Sequence, residues 1–465
     1  VFRTILRREL LHNLYSLRFL ISLALLLAVF AAGAVSFVRS QAASLEKYRD
    51  TRGQYLENMR SLAGESATEL AVRRQTFSLK PRANAFISDA KERYLPNAIV
   101  FSAWNVFSFQ NKSGSANPFL KKFDELSWTF ITALIVSFIA LLFTFDAVSG
   151  EKESKTLALT LANPVPRGTL LLGKFASAVV SVMAIVLAGV LTSLVIVVAL
   201  GPEGISTALA GEVFGYLAVT GLLAGTFAAF GLLASVVARS SNVSLLAALS
   251  FWLVFAAVIP NSSTFVAKGL YPIDSSETVQ KNVTAAFDDL NKNAPPGSWM
   301  MNSGNPFLPQ HELRANLQTK RLAAEKGIRD AHYRAMFRQF ERTRLLTALS
   351  PVSLFEYLSE AVAGGGYLRF RKAWTDMHVY QEQFLDFFKA LDAADKGSPH
   401  WFNPSENVST TRKPVAFEKV PQFEERPLSF ADRVGPALKY LLFNIFVLSA
   451  VYFLAFILFV RYDVR

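Results

Sequence analysis

The stretch that decides the fold runs from Asp146 to Lys174 and reads Asp-Ala-Val-Ser-Gly-Glu-Lys-Glu-Ser-Lys-Thr-Leu-Ala-Leu-Thr-Leu-Ala-Asn-Pro-Val-Pro-Arg-Gly-Thr-Leu-Leu-Leu-Gly-Lys. Apolar runs too long for an ordinary core helix stand on both sides, so its charges face water between two membrane spans. Glu151, Glu153 and Lys155 precede Thr156, Leu157, Leu159 and Leu161, a pattern that suits a short helix with one apolar edge. Pro164 and Pro166 stop that helix, because proline lacks the N–H and clashes with the preceding turn. A short helix lying across a membrane surface gives another protein something to push on.

Outward from this loop, the apolar residues gather in six runs, at 17–38, 128–148, 169–200, 211–238, 244–266 and 437–460. Each is roughly 20 residues or more, the length that crosses a ~30 Å hydrocarbon core. The chain is therefore expected to be an all-α polytopic membrane protein with six transmembrane helices. The first run carries Ala32-Gly33-Ala34, a small-residue pattern that a signal peptidase could cleave, but it continues apolar through Val38 and is read as an uncleaved span. Orientation follows from the short loops. Arg3, Arg7 and Arg8 precede the first span; Lys152, Lys155 and Arg167 lie in the central loop; Arg239 joins spans four and five; Arg461 and Arg465 close the chain. Six spans place all of these on the cytoplasmic side, and the opposite connection, Gly201–Ala210, carries Glu203 and no Lys or Arg. The expected location is the inner (plasma) membrane, multi-pass, with both termini cytoplasmic.

Between the runs the chain divides further. Residues 1–16 place Phe2, Ile5, Leu6 and Leu10 on one helical face with arginines mostly away from it, which predicts an interfacial amphipathic helix. Residues 39–126 and 267–436 form two extracytoplasmic segments able to fold as one mainly helical domain with a few short strands; 149–168 is the cytoplasmic loop and 461–465 a cytoplasmic tail. In the first segment Leu45, Tyr48, Tyr55, Leu56, Met59 and Leu62 recur at helical spacing, which extends the first helix beyond the membrane. The run from Ala98 to Phe109 is aromatic and β-branched, fitting a strand or a buried apolar segment, and Asn111–Pro118 reads as a loop. In the second, helical patterns cover 311–344 and 367–395, and a strand is expected around Val415–Val420.

Few residues invite chemistry. The composition, with no cysteine, removes disulfides and thiolate metal sites. The formal charge of +12 fits basic residues flanking spans rather than nucleic-acid binding. Gly168-Thr-Leu-Leu-Leu-Gly-Lys174 matches a phosphate-binding loop up to its last position. There Phe175 replaces the hydroxyl that holds Mg²⁺, and no strand precedes it. His311-Glu312 begins like a zinc-protease motif, yet Ala315 stands where the second histidine belongs. Gly211, Gly215, Gly221 and Gly225 mark the fourth span as a close-packing helix, within one subunit or against a second. Charge inside the spans is nearly absent, which argues against an ion-coupled carrier and a hydrophilic pore.

The acidic residues followed by Lys-Thr-Leu, then Leu-Ala-Asn-Pro-Val-Pro-Arg and Gly-Lys, resemble the cytoplasmic loop of ABC-2 type transporter permeases. The chain is similar to the subfamily with large extracytoplasmic loops, found in nitrous-oxide-reductase maturation and gliding-motility systems. The resemblance implies that 1–16 is an elbow helix and that the loop is a coupling helix docking on a separate ABC ATP-binding subunit. Glu151, Glu153, Thr156, Leu157 and Leu161 would form the docking surface, with Pro164, Arg167 and Lys174 shaping its exit. Lys152, between the two acids, departs from the common pattern. It further implies that the chain is not itself an enzyme, that it holds no cofactor, with ATP and Mg²⁺ on the partner, and that a second permease subunit and an extracytoplasmic protein complete the assembly. Its work would be export or mechanical transmission across the membrane. The alternative is a membrane-anchored scaffold or receptor with a protein-binding outer domain and no ATPase.

Overall fold

A computed structural model describes residues 1–90, 92, 95–110, 126–162, 165–202, 208–298, 307–400 and 413–462. The chain starts with α1 (Phe2–Leu14), after which the Ser16 hydroxyl accepts the Phe19 amide and caps α2 (Leu17–Glu65). At 49 residues, α2 is about 73 Å long, so it outruns a ~30 Å apolar core and continues into a polar domain. There Leu45, Tyr55, Met59 and Leu62 are buried, as their helical spacing predicts. Ser66 breaks the helix and caps α3 (Ala67–Val72) through the Glu69 amide. Strands β1 (Gln75–Ser78), β2 (Ala98–Ser102) and β3 (Asn105–Gln110) then pair antiparallel in sequence order, with Ile99 opposite both Phe77 and Phe109.

Among the described residues, five helices are long and apolar enough to cross a membrane. They are α2 and four that follow the helices α4 (Trp128–Leu142), α5 (Ser149–Glu153) and α6 (Thr156–Ala162) or come later in the chain. Three are consecutive: α7 (Arg167–Leu200), α8 (Ala208–Val237) and α9 (Ser241–Asn261). In the run at 128–148, expected as a span, the apolar helix ends at Leu142 and is about 22 Å long, shorter than those five. Beyond it the chain turns: the Thr144 hydroxyl bonds back to Ala140 O at 3.1 Å, and the Ser235 hydroxyl accepts the amides of Val148 and Ser149 at 2.9 Å each. Both α4 and α9 contain a π-turn, at Thr132–Val136 and Leu253–Val258, and Trp252 donates to Ser137 across the pair at 3.0 Å.

The second polar stretch holds α10 (Ser263–Leu270), α11 (Ser276–Lys292), α12 (Pro309–Thr347), α13 (Pro351–Ala363) and α14 (Gly366–Ala394). Gly364, at φ +66°, takes the left-handed conformation that ends α13, and Gly366 at φ +59° starts α14 in a space where a methyl would strike Ala90. The expected strand at Val415–Val420 is replaced by a 3₁₀ turn, Phe417–Lys419, because the Val415 amide bonds to Ala63 O of α2 at 2.8 Å and not to a neighbouring strand. The last helix, α15 (Phe430–Arg461), begins with a capping box between Ser429 and Asp432. The loop expected at 111–118 lies outside the described residues.

Two main cores result. Leu26, Phe30, Trp128, Val186, Tyr216 and Phe227 of the long apolar helices pack with Phe355 of α13. Met59, Phe77 and Phe101 pack with Met377 and Phe384, so the two polar stretches share one interior. Salt bridges reinforce that union, with Arg369 Nη1 reaching Glu92 Oε2 at 3.2 Å. The protein is thus mostly helical, with one small three-stranded sheet.

Candidate docking loop

The chain between Asp146 and Arg167 has an inner side held by its own helices and an outer side open to solvent. Ser154 caps the end of α5, and Lys155 takes φ +58°. That left-handed residue redirects the chain into α6, at a position where glycine normally sits. The four-residue spacing of Leu157 and Leu161 puts them on one face of α6, while Leu159, two residues from each, falls nearly opposite. Leu157 is accordingly 2% exposed, in a small core with Val148, Leu170, Leu171, Leu232, Val236 and Phe459. Leu161 packs at the edge of the same core, and Leu159 is 71% exposed.

The charges flanking α6 tie the loop to its surroundings. Lys174, buried on α7, pairs with Glu151 Oε1 at 2.6 Å and with Glu9 Oε1 of α1 at 3.2 Å. Lys152 donates to Val236 O and Ala238 O at 2.5 and 3.1 Å, where its charge meets the carbonyl end of α8, and its ammonium lies 4.3 Å from the Tyr462 ring centre. Partial burial holds the Lys152 amine below the ordinary lysine range. Glu153 accepts the Ser241 amide at 3.2 Å, the amino end of α9. Arg167 donates to Val460 O and Tyr462 O, both at 2.8 Å, and so fastens the end of α15. At the loop entry Arg18 of α2 pairs with Asp146 at 2.6 Å. Close backbone approach adds to this: a methyl on Gly173 would sit 2.6 Å from Ile5 of α1, and one on Gly168 2.6 Å from the Phe456 ring.

These positions divide the residues singled out from the sequence. Glu151, Leu157, Arg167 and Lys174 are engaged within the chain, and Leu157 is corrected from an outward docking residue to an inward one. Glu153 and Thr156 are on the exposed side, with the Thr156 hydroxyl 2.9 Å from that of Ser154. Pro164 lies outside the described residues. Residues 168–174 are the first turns of a helix, and the Lys174 ammonium is taken by two carboxylates. The sequence gives Leu159 only as part of an apolar edge and Lys152 only as a departure from the pattern, and Glu9 is not singled out; helical phase alone separates Leu159 from Leu157, whereas the tertiary partners of Lys152 and Glu9 leave no local signal. The glycines of α8 behave unequally. A methyl on Gly211 would meet nothing of this chain within 4 Å. Gly215 abuts Val362 of α13, Gly221 Met183 of α7 and Gly225 Leu448 of α15, all within the chain. The closest approach on α8 is at Gly231, against Thr144 and the Leu141 carbonyl.

Among the described residues no group of His, Cys, Asp and Glu could hold a metal ion. The inner side of the loop joins α1, α2, α7, α8, α9 and α15 through charges, while its outer side presents Glu153, Thr156 and Leu159. Residues 3–464 match the sequence profile described as ABC-2 family transporter protein. The probable ABC transporter permease protein NosY of Pseudomonas aeruginosa is 33% identical over 129 residues, 28% of this chain and 47% of that protein. Its namesake in Stutzerimonas stutzeri is 32% identical over 129 residues, 28% of this chain and 46% of that protein. The chain thus spans about half the length of these curated relatives. It belongs to the ABC-2 transporter family, as a multi-pass membrane permease.

Proposed function

We propose that this permease takes its ATP-binding subunit on the outer side of α5 and α6, with Leu159 as the apolar anchor and Glu153 and Thr156 beside it. The carrying observation is the two-sidedness of the loop. A leucine 71% exposed stands on a seven-residue helix whose opposite leucine is buried and whose flanking charges pin five or more other elements. Closure of the ATP-binding subunits then rocks α6 as a rigid lever, and the motion passes through Lys174 to α1 and α7 and through Lys152, Glu153 and Arg167 to α8, α9 and α15. Two permease subunits complete the assembly, and the output is export of a substrate or mechanical transmission to the polar domain and any protein bound there. In this reading the apolar segment beginning at Trp128 acts as a sixth, shorter span. Both termini and the loop then lie in the cytoplasm, and 39–126 and 267–436 lie outside the plasma membrane.

The experiment is co-purification of the ATP-binding subunit with Leu159→Asp. An unpaired carboxylate forced into an apolar groove costs several kcal/mol, so the complex should be lost while the permease itself stays folded. Recovery of the partner at wild-type level would refute the assignment. The cysteine-free sequence also allows topology to be read: a cysteine at Ser154 should resist an impermeant thiol label in intact cells, and one at Lys281, exposed on α11, should accept it.

A further inference from the structure

A cleft of 690 Å³ opens where the long helices leave their apolar stretches and meet the polar domain. Its volume lies within the ~300–1,000 Å³ of small-molecule sites. One end is apolar, formed by Phe37 of α2, Phe86, Val197 near the end of α7 and Leu209 near the start of α8. The same face of α2 continues through Gln41, Tyr48 and Arg52, all lining the cleft, and Phe37 to Arg52 is a rise of about 22 Å. Along that rise the wall changes from aromatic through amide to cationic. Seven Lys and Arg line the cleft against four Asp and Glu, leaving it net positive. Three of the carboxylates are neutralised inside it, Glu212 by Arg433, Asp376 by Lys372 and Glu425 by Arg369. Arg52, bonded to the Tyr48 hydroxyl at 2.8 Å, and Arg426 remain exposed at its polar end.

Two buried donors in the wall point to a ligand. Gln41 is 7% exposed, and its Nε2 has no hydrogen-bond acceptor among the described residues. Arg433 Nε is likewise buried without an acceptor, although Arg433 Nη1 is held by Glu212 at 3.1 Å. Buried donors without acceptors are destabilising, so a wall that keeps two of them beside a cavity fits a guest that brings acceptor oxygens. We propose that this cleft binds an anionic membrane lipid, with an acyl chain along Phe37, Val197 and Leu209 and the phosphate oxygens facing Gln41, Arg433, Arg52 and Arg426. The lipid ties the middle of the first long helix to the polar domain, a role independent of where an ATP-binding subunit docks.

The test is native mass spectrometry of the full-length detergent-purified chain with added phosphatidylglycerol, phosphatidylcholine of the same acyl chains, or inorganic phosphate. Wild type should retain phosphatidylglycerol about tenfold more tightly than phosphatidylcholine, the factor that one charge-assisted hydrogen bond of about 1.4 kcal/mol supplies. Gln41→Leu, Arg52→Ala with Arg426→Ala, and Leu209→Trp, which fills the apolar end, should each reduce that retention, while Lys281→Ala on α11 should not. If Gln41→Leu loses its monodisperse elution profile, the arginine pair and Leu209→Trp carry the decision. Equal retention of the two lipids, undiminished retention in the cleft variants, or inorganic phosphate displacing the lipid as a soluble anion would each overturn the proposal.

Discussion

Replacing Lys174 by methionine isolates the connection between the loop and the first helices. The substitution keeps length and apolar stem but removes the ammonium from two carboxylates, Glu151 at 2.6 Å and Glu9 at 3.2 Å. The lysine side chain is 5% exposed and the carboxylates 24% and 19%, so neither acid recovers full hydration once its partner is gone. Breaking a buried ion pair costs about 3–5 kcal/mol; the residual exposure of the acids places this one near ~2–3 kcal/mol. Thermal unfolding of the purified permease in one detergent and buffer should show a melting temperature several degrees below wild type. Adding Glu9→Gln and Glu151→Gln should restore much of the loss, because a neutral trio leaves no unpaired charge. Nucleotide binding by the isolated permease should be unaffected throughout. A Lys174→Met protein that melts with wild type, or a triple variant less stable than the single one, would refute the view that this network holds the loop.

Leu157→Ala should destabilise the permease by about 2–5 kcal/mol, since the side chain is enclosed by its own core, whereas Leu159→Ala should stay within ~0.5 kcal/mol of wild type; paired melting curves check both. Lys155→Gly should raise stability by about 1 kcal/mol by relieving the left-handed conformation at φ +58°, measured the same way. Burial alone would raise the Glu92 carboxyl, but the charges of Arg82 and Arg369, then the Gly366 amide, outweigh it and hold it below its ordinary 4.5. Its contribution is therefore complete above pH 4.5, shrinks as pH falls through that value, and is gone below the folded-state pKa. Glu92→Gln should flatten the acid limb of a stability–pH curve, and an unchanged limb would contradict the assignment.

How much of this was readable beforehand differs by kind of signal. Long apolar runs and helical spacing located the five long helices, the continuation of α2 to Glu65 and the helices at 309–347 and 366–394, because burial on one face repeats with the helix period. The ends of α4 and the fate of Val415–Val420 were not readable, since both depend on partners remote in sequence, Ser235 in one case and Ala63 in the other. Within the loop, residue types marked the right segment, yet only α6's phase separates Leu157 from Leu159. The function of Lys152 was opaque for the same reason: its acceptors, Val236 O and Ala238 O, lie on another helix.

The central claim, that the ATP-binding subunit rests on the outward side of α6, is tested most directly by site-specific cross-linking in native membranes. Single cysteines at Leu159, Leu157 and Lys281 would be introduced into the cysteine-free chain and coupled to a short photoactivatable reagent. The account predicts a cross-linked product containing the ATP-binding subunit from position 159 and none from the buried 157 or from 281 on α11. The subunit captured from 281, or from no position on α6 while the complex is intact, would contradict it.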